Sequence, residues 1–138
     1  MLTYREESEL RKPVSGNLRR RGYGRQRNEV QFFDYYMDLY GYAVESGRTT
    51  AVELKLTRWM RAFEQALIYQ LCADFVYIAL PIRVAGRVDI ALLSRHGIGL
   101  LGVQPALHCA TMIEPEQSTV VISSYRDFYV QLMQERRR

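Results

Sequence analysis

The sequence predicts an α/β domain with a central mixed β-sheet flanked by helices, and three stretches predict it. Residues 35–44 and 49–56 are rich in aromatic, β-branched and apolar side chains. Glu45-Ser46-Gly47-Arg48 joins them with a Gly-containing turn, the pattern of a β-hairpin. In residues 58–71, Trp59, Met60, Phe63, Ala66, Leu67 and Leu71 recur at helical spacing on one broad apolar face that should pack on the sheet. Residues 74–80 form an apolar run stopped by Pro81, as in a strand covered on both faces and therefore central and parallel to a neighbour. A short helical stretch at 84–95 and a second apolar strand at 98–103, punctuated by Gly97, Gly99 and Gly102, complete a β-α-β crossover.

The remaining elements follow in order. Thr3 is the expected N-cap of a first helix over 3–11, with Glu6 three residues on as its capping box. Pro13 to Gly16 should interrupt that helix, and the basic, glycine-bounded residues 17–24 read as a loop or brief helix. Residues 29–33 open the sheet, and Asp34-Tyr35 form a tight turn or bulge into the next strand. Thr57 is the expected N-cap of the 58–71 helix. Residues 108–113 read as an edge strand. Ser124-x-x-Asp127 resembles a capping box for a last helix in which Tyr125, Phe128, Tyr129, Leu132 and Met133 repeat with the helical period.

Composition limits the function classes. With 48% hydrophobic and 25% charged residues the chain has the profile of an ordinary globular protein. Its 138 residues suit one domain, with a basic N-terminal segment (1–28), a core (29–113) and a C-terminal helix with a basic tail (122–138). No apolar run approaches the roughly 20 residues that span a bilayer, and the charged first dozen residues lack a signal-peptide core, so a cytoplasmic location is expected. Cys72 and Cys109 lack a CxxC spacing and read as reduced core thiols, and His96 and His108 read as structural. The net charge of +4 is uneven: Arg11, Lys12, Arg19, Arg20, Arg21, Arg25 and Arg27 crowd one end, and Arg136, Arg137 and Arg138 close the other. Such clusters fit a polyanion, because phosphate contacts supply most non-specific nucleic-acid affinity. Phosphate-binding glycine loops, a dinucleotide fingerprint and a G-x-S-x-G elbow are absent, which removes the common NTPase, dehydrogenase and serine-hydrolase readings. The strand-rich middle argues against a helix-turn-helix module.

The hairpin carries the chemistry. Alternation along a strand puts Glu53 and Lys55 on one face and Val52, Leu54 and Leu56 on the other. On the preceding strand Asp38 shares a face with Tyr36 and Tyr40, while Met37, Leu39 and Ala43 take the opposite one. Pairing about the turn brings Asp38 and Glu53 to the same end of the hairpin. Two converging carboxylates repel unless a cation sits between them, and hard ions such as Mg²⁺ take oxygen ligands of this kind. On the following helix Arg58, Gln65 and Tyr69 share a stripe, with Arg61 near it, and a helix N-terminus flanked by arginines favours phosphate. Tyr35, Tyr36, Tyr40 and Tyr42 offer either a stacking platform for bases or, by preference, cross-strand pairs.

Asp38, then Glu53-x-Lys55, then Gln65-x-x-x-Tyr69, resembles the signature of the PD-(D/E)xK nuclease superfamily and its RecB-like branch, over roughly residues 29–103. Position 37 is Met where the family name has Pro. The resemblance implies a restriction-endonuclease-like core and a metal-dependent nuclease of repair, recombination or defence type, cutting phosphodiester bonds in DNA, with RNA left open as a substrate. It implies that Asp38, Glu53 and the backbone carbonyl of Leu54 hold Mg²⁺ or Mn²⁺. Lys55 would orient the attacking water, and Gln65 and Tyr69 would position the phosphate or the water. Arg19, Arg20, Arg21, Arg25, Arg58 and Arg61 would hold the nucleic acid. An acid from the first helix often joins such sites, and Glu6, Glu7 and Glu9 are candidates of which no motif singles out one. A homodimer or larger complex is expected from the small surface. The competing expectation is a nuclease-like fold that binds nucleic acid or a partner protein without cutting.

Overall fold

The computed structural model describes residues 5–104 and 108–135. Its centre is a six-stranded mixed sheet in the order β1-β2-β3-β4-β5-β6. β1 (Arg25–Phe32), β2 (Tyr35–Tyr42) and β3 (Thr49–Leu54) form an antiparallel meander; β4 (Phe75–Pro81) and β5 (Gly99–Val103) join in parallel, and β6 (Cys109–Ile113) closes the sheet antiparallel. The α/β class and the central, parallel placement of the 74–80 run are as the sequence predicts. The parallel pairs need crossovers, which α2 (Trp59–Tyr69) supplies before β4, and α3 (Ile82–Ala85) and α4 (Ile90–Arg95) supply before β5.

Each face of the sheet buries its own apolar layer. On one, Leu10, Val14 and Leu18 from the N-terminal helical region lie against Leu39, Val52, Leu54, Ala79 and Leu101. On the other, Phe63, Ala66 and Tyr69 of α2 and Tyr129 and Met133 of α5 (Ser123–Gln134) join Tyr40, Ala51, Ile78, Leu80 and Leu100.

The structure corrects several local readings. Helix α1 (Arg11–Arg20) runs straight through Pro13 and Gly16. Pro13 is its third residue, where the N–H has no intrahelical acceptor, so proline is tolerated there. Leu10, Val14 and Leu18 recur every four residues, and burying that stripe outweighs the cost of Gly16. The capping box is formed by Glu6 and Glu9 at the head of a 3₁₀ turn (Glu7–Leu10), the Glu6 N–H donating to Glu9 Oε1 at 2.8 Å. Thr3, expected as the cap, lies outside the described residues, as do Arg136, Arg137 and Arg138.

β1 starts at Arg25, four residues ahead of the expected 29, because pairing with Tyr42 continues the ladder there. The turn into β2 is Phe33-Asp34, as Phe32 already pairs with Tyr35. Arg58, not Thr57, precedes α2 as N-cap, and the buried face of α2 is Ala62, Phe63, Ala66 and Tyr69, with Met60 exposed. The buried face of α2 thus takes in Tyr69, which helical spacing groups with Arg58 and Gln65. The expected 84–95 helix is divided into α3 and α4. Ser124 and Asp127 form no capping box: α5 starts after Ile122, whose N–H donates to Leu71 O at 2.8 Å, so docking sets the helix start.

At the end of the sheet beyond the β2–β3 turn, buried Asp74 accepts from Thr49 N at 2.9 Å, Thr49 Oγ1 at 3.0 Å and Arg126 Nε at 2.9 Å. Arg126 also donates to the Gly47 carbonyl, so one buried carboxylate ties α5 to the hairpin turn. Close packing leaves no room for a side chain at Gly99, where a Cβ would stand 2.7 Å from Tyr77 Cδ2, 2.9 Å from Pro115 Cδ and 3.1 Å from the Ile113 carbonyl. Gly99→Ala is expected to cost about 1–3 kcal/mol by overpacking, read as a lower urea midpoint; an unchanged midpoint would contradict this packing.

Candidate active site

β2 and β3 pair from Tyr42–Thr49 up to Leu39–Val52 and then separate, so the hairpin opens at the level of Asp38 and Glu53. On the other side of β2 the pairing runs from Asn28–Leu39 to Val30–Met37 with no pair between, and Glu29, beside that gap, adopts a positive φ of 52°. Met37 joins the apolar cluster of Tyr40 and Tyr42, not the Leu39 and Ala43 face that strict alternation predicts, so alternation along β2 breaks at Asp38.

The opening is closed by side chains. Asp38 Oδ2 accepts from Leu54 N at 2.8 Å, taking the place of a strand partner. The N–H and C=O of an extended residue leave along the same edge, so the Leu54 carbonyl also faces this gap. Glu53, buried at 4% exposure, accepts from the Tyr69 hydroxyl at 2.9 Å, and Lys55 Nζ stands 3.8 Å from its other oxygen. The Tyr69 hydroxyl lies 3.2 Å from the Tyr36 carbonyl as well. Asp38 and Glu53 stand close enough for the Asp38 charge to raise Glu53. From the N-terminal region, Glu7 Oε2 lies 3.9 Å from Lys55 Nζ and Arg11 Nη2 lies 4.0 Å from Asp38 Oδ1.

These positions have electrostatic consequences. Burial, and then the Asp38 charge, push Glu53 up to about 8; burial also raises Asp38, opposed by the Leu54 N–H. Burial and the Glu53 carboxylate raise the Tyr69 hydroxyl, which therefore stays a neutral donor. A carboxyl raised on folding stabilises the native state fully below its unfolded pKa of about 4.3, and that contribution is lost as pH rises to the folded value near 8. In a chelating buffer the thermal midpoint is accordingly expected to contain a component that falls from pH 5 to 9. Glu53→Gln should remove that component, and a profile identical to the parent's would refute it.

The structure brings together Asp38, Glu53, Leu54, Lys55 and Tyr69 of the sequence-predicted residues. Gln65 lies one turn before Tyr69, and its Oε1 is buried without a hydrogen-bond partner. Of the three N-terminal acids, Glu7 reaches the site. Glu9 caps the Arg5 and Glu6 N–H groups, and Glu6 is exposed. Arg58 and Arg61 are exposed at the start of α2.

Arg19, Arg20, Arg21 and Arg25 are not gathered around the acids. α1 begins at Arg11 near Asp38 and carries the later arginines away along its axis, at 1.5 Å per residue. Arg21 is held by Glu114 at 2.7 and 2.5 Å, and Arg25 donates to the Met133 carbonyl at 3.1 Å. Arg11 is the site residue that sequence reasoning missed. Its signal was the four-residue spacing from Glu7, which places both on one helical side. Among the tyrosines, Tyr40 and Tyr42 are buried in the core, Tyr35 packs its ring 6.5 Å from that of Tyr69, and Tyr36 is exposed.

No group of three or more His, Cys, Asp or Glu side chains is placed to hold a metal ion among the described residues. The donors that meet are the two carboxylates, with the Leu54 carbonyl facing them. Their oxygen chemistry fits Mg²⁺ or Mn²⁺, and the Asp38 charge that raises Glu53 is the repulsion that a cation relieves. His96 instead packs on Phe63 at 5.4 Å, and Cys72 and Cys109 are buried free thiols, raised by burial to about 12 and about 11.

No protein-family model matches the chain, and no curated protein does. A solved structure of a protein of unknown function from Silicibacter pomeroyi superposes with a TM-score of 0.73 at 18% sequence identity, covering 94% of this chain and 84% of that one. The likeness shows a shared fold. No helix among the described residues is long and apolar enough to cross a membrane.

Proposed function

We propose that this chain is a divalent-cation-dependent nuclease that hydrolyses phosphodiester bonds in DNA, built on a restriction-endonuclease-like core of the PD-(D/E)xK type. The observation that carries the reading is the convergence of Asp38 and Glu53 at the open end of the hairpin, Asp38 on the Leu54 N–H at 2.8 Å and Glu53 with the Lys55 ammonium 3.8 Å away. A domain with no use for ionisable chemistry gains nothing from holding two carboxyls this close in a largely buried position, and such perturbed pairs concentrate at functional sites.

Asp38, Glu53 and the Leu54 carbonyl are the groups that would hold Mg²⁺ or Mn²⁺; the bound ion would supply Lewis acidity at the scissile phosphate. The Leu54 N–H fixes Asp38, and the Tyr69 hydroxyl fixes Glu53, so neither carboxylate must reorganise when it acts. Lys55 is placed to orient a water and to offset negative charge growing on the phosphate. Arg58 and Arg61, at the exposed start of α2, hold the strand by its neighbouring phosphates.

Incubation of plasmid and single-stranded DNA with Mg²⁺ or Mn²⁺ tests the reading, with EDTA as the control and RNA as a parallel substrate. Lys55→Ala is expected to keep DNA affinity and to slow cutting by about 100-fold or more, the usual effect of losing one transition-state donor. Cutting at the parent rate would remove Lys55 from the mechanism. A second reading, a nuclease-like fold that binds without cutting, draws on the position of Arg11 and Lys55, which already set positive charge against both acids. Intact DNA after incubation with Mn²⁺, with no binding of the ion, would decide for it.

A further inference from the structure

The two non-glycine residues with positive φ among those described, Glu29 (52°) and Phe33 (53°), line the same surface groove. The groove lies between β1 and α5, encloses about 540 Å³, and is bordered by Arg27, Asn28, Gln31 and Phe128 as well. Side chains other than glycine rarely adopt this conformation, and strain of this kind is retained where function uses it. Phe33 occupies the first position of the two-residue β1–β2 turn, where glycine or asparagine would be easier. Its ring is nonetheless 62% exposed, with its orientation set by edge-to-face contacts to Phe32 at 4.9 Å and Tyr125 at 5.4 Å. Phe128, across the groove, is 61% exposed.

We propose that this groove binds an unpaired base of the DNA strand being cut, so that single-stranded or frayed DNA is the substrate class. The inference rests on the nuclease reading for the strand's identity and on the groove for its conformation. Two exposed rings at the rim give a base its stacking surfaces. Asn28, Glu29 and Gln31 offer the mixture of donors and acceptors that reads base edges, which a paired base does not present to a groove of this shape. Arg27 supplies charge for the adjoining phosphate. The position is right for one strand to serve both places. Gln31 pairs with Tyr36, whose carbonyl meets the Tyr69 hydroxyl that donates to Glu53. β1 is two strand spacings from β3, about 10 Å.

The test is binding of a single-stranded DNA oligonucleotide carrying 2-aminopurine, and of its duplex, in EDTA so that nothing is cut. The probe's fluorescence is expected to be quenched on binding, with the single strand preferred. Phe33→Gly relieves the positive φ while removing the ring, so the protein stays folded, and Phe128→Ala alters an exposed helix position. Each is expected to weaken single-strand binding about 5- to 100-fold, the range for one lost stacking partner. Parent-like affinity and quenching in both variants would overturn the groove, as would equal affinity for the duplex. Cutting is scored separately in Mn²⁺. Phe33-dependent binding without cutting would remove the nuclease reading and leave the groove, whereas cutting with affinity indifferent to both rings would do the reverse.

Discussion

Glu53→Gln is expected to lower the rate of Mn²⁺-supported DNA cleavage by about a thousandfold, equivalent to several kcal/mol of charge stabilisation no longer delivered through the ion. The same change should leave the fold intact or strengthen it in metal-free buffer at pH 9. Glu53 is buried beside Asp38, and its ionisation there is what burial and like charge oppose. Glutamine has nearly the same shape and still accepts from the Tyr69 hydroxyl, so packing changes little. A drop in activity accompanied by unfolding would point to a structural carboxyl. A drop in activity with a thermal midpoint preserved or raised points to a functional one. Isothermal titration with Mn²⁺ supplies the readout that is independent of turnover: the parent should bind with proton release, and the variant should bind more weakly with less of it.

Asp74→Ala is expected to give the largest loss of stability, about 3 kcal/mol, measured by urea unfolding. The carboxylate receives Thr49 N, Thr49 Oγ1 and Arg126 Nε, and its removal strands an amide, a hydroxyl and a guanidinium in a protein interior. Arg126 is partly open to solvent, which places the effect at the low end of the range for broken buried pairs. The double variant Asp74→Ala/Arg126→Ala should lose less than the sum of the single variants, because the two share one interaction. A single-variant loss below about 1 kcal/mol would show that Asp74 does not tie α5 to the hairpin turn. Asp74 stands at the far end of β3 and β4 from Glu53, so ion binding by the folded fraction should be unaffected.

Several features were legible in residue order. The hairpin, the central parallel strand and the helix α2 all follow from local pattern, because strand and helix periods show in short windows. The opposition of Glu53 to Val52 and Leu54 needed only strand alternation. Local pattern failed where distant contacts decided the outcome. Pro13 looked like a helix breaker, yet it sits in the first turn of α1, and Leu10, Val14 and Leu18 found a sheet face to cover. The Ser124 and Asp127 pair looked like a cap, yet the Leu71 carbonyl set the start of α5 two residues earlier than that cap requires.

By itself the sequence determined the class of the fold and singled out Asp38, Glu53, Lys55 and Tyr69, which the structure brings together, since each is visible as chemistry at a fixed spacing. Only the tertiary structure decided which charges attend them. Arg11 and Glu7 arrive from a segment more than twenty residues away in sequence, while Arg21 and Arg25 are drawn off to Glu114 and Met133. The physical reason is that a helix carries its side chains along a line. Once α1 is docked by its leucine and valine stripe, its first arginine falls at one end of the sheet and its last at the other.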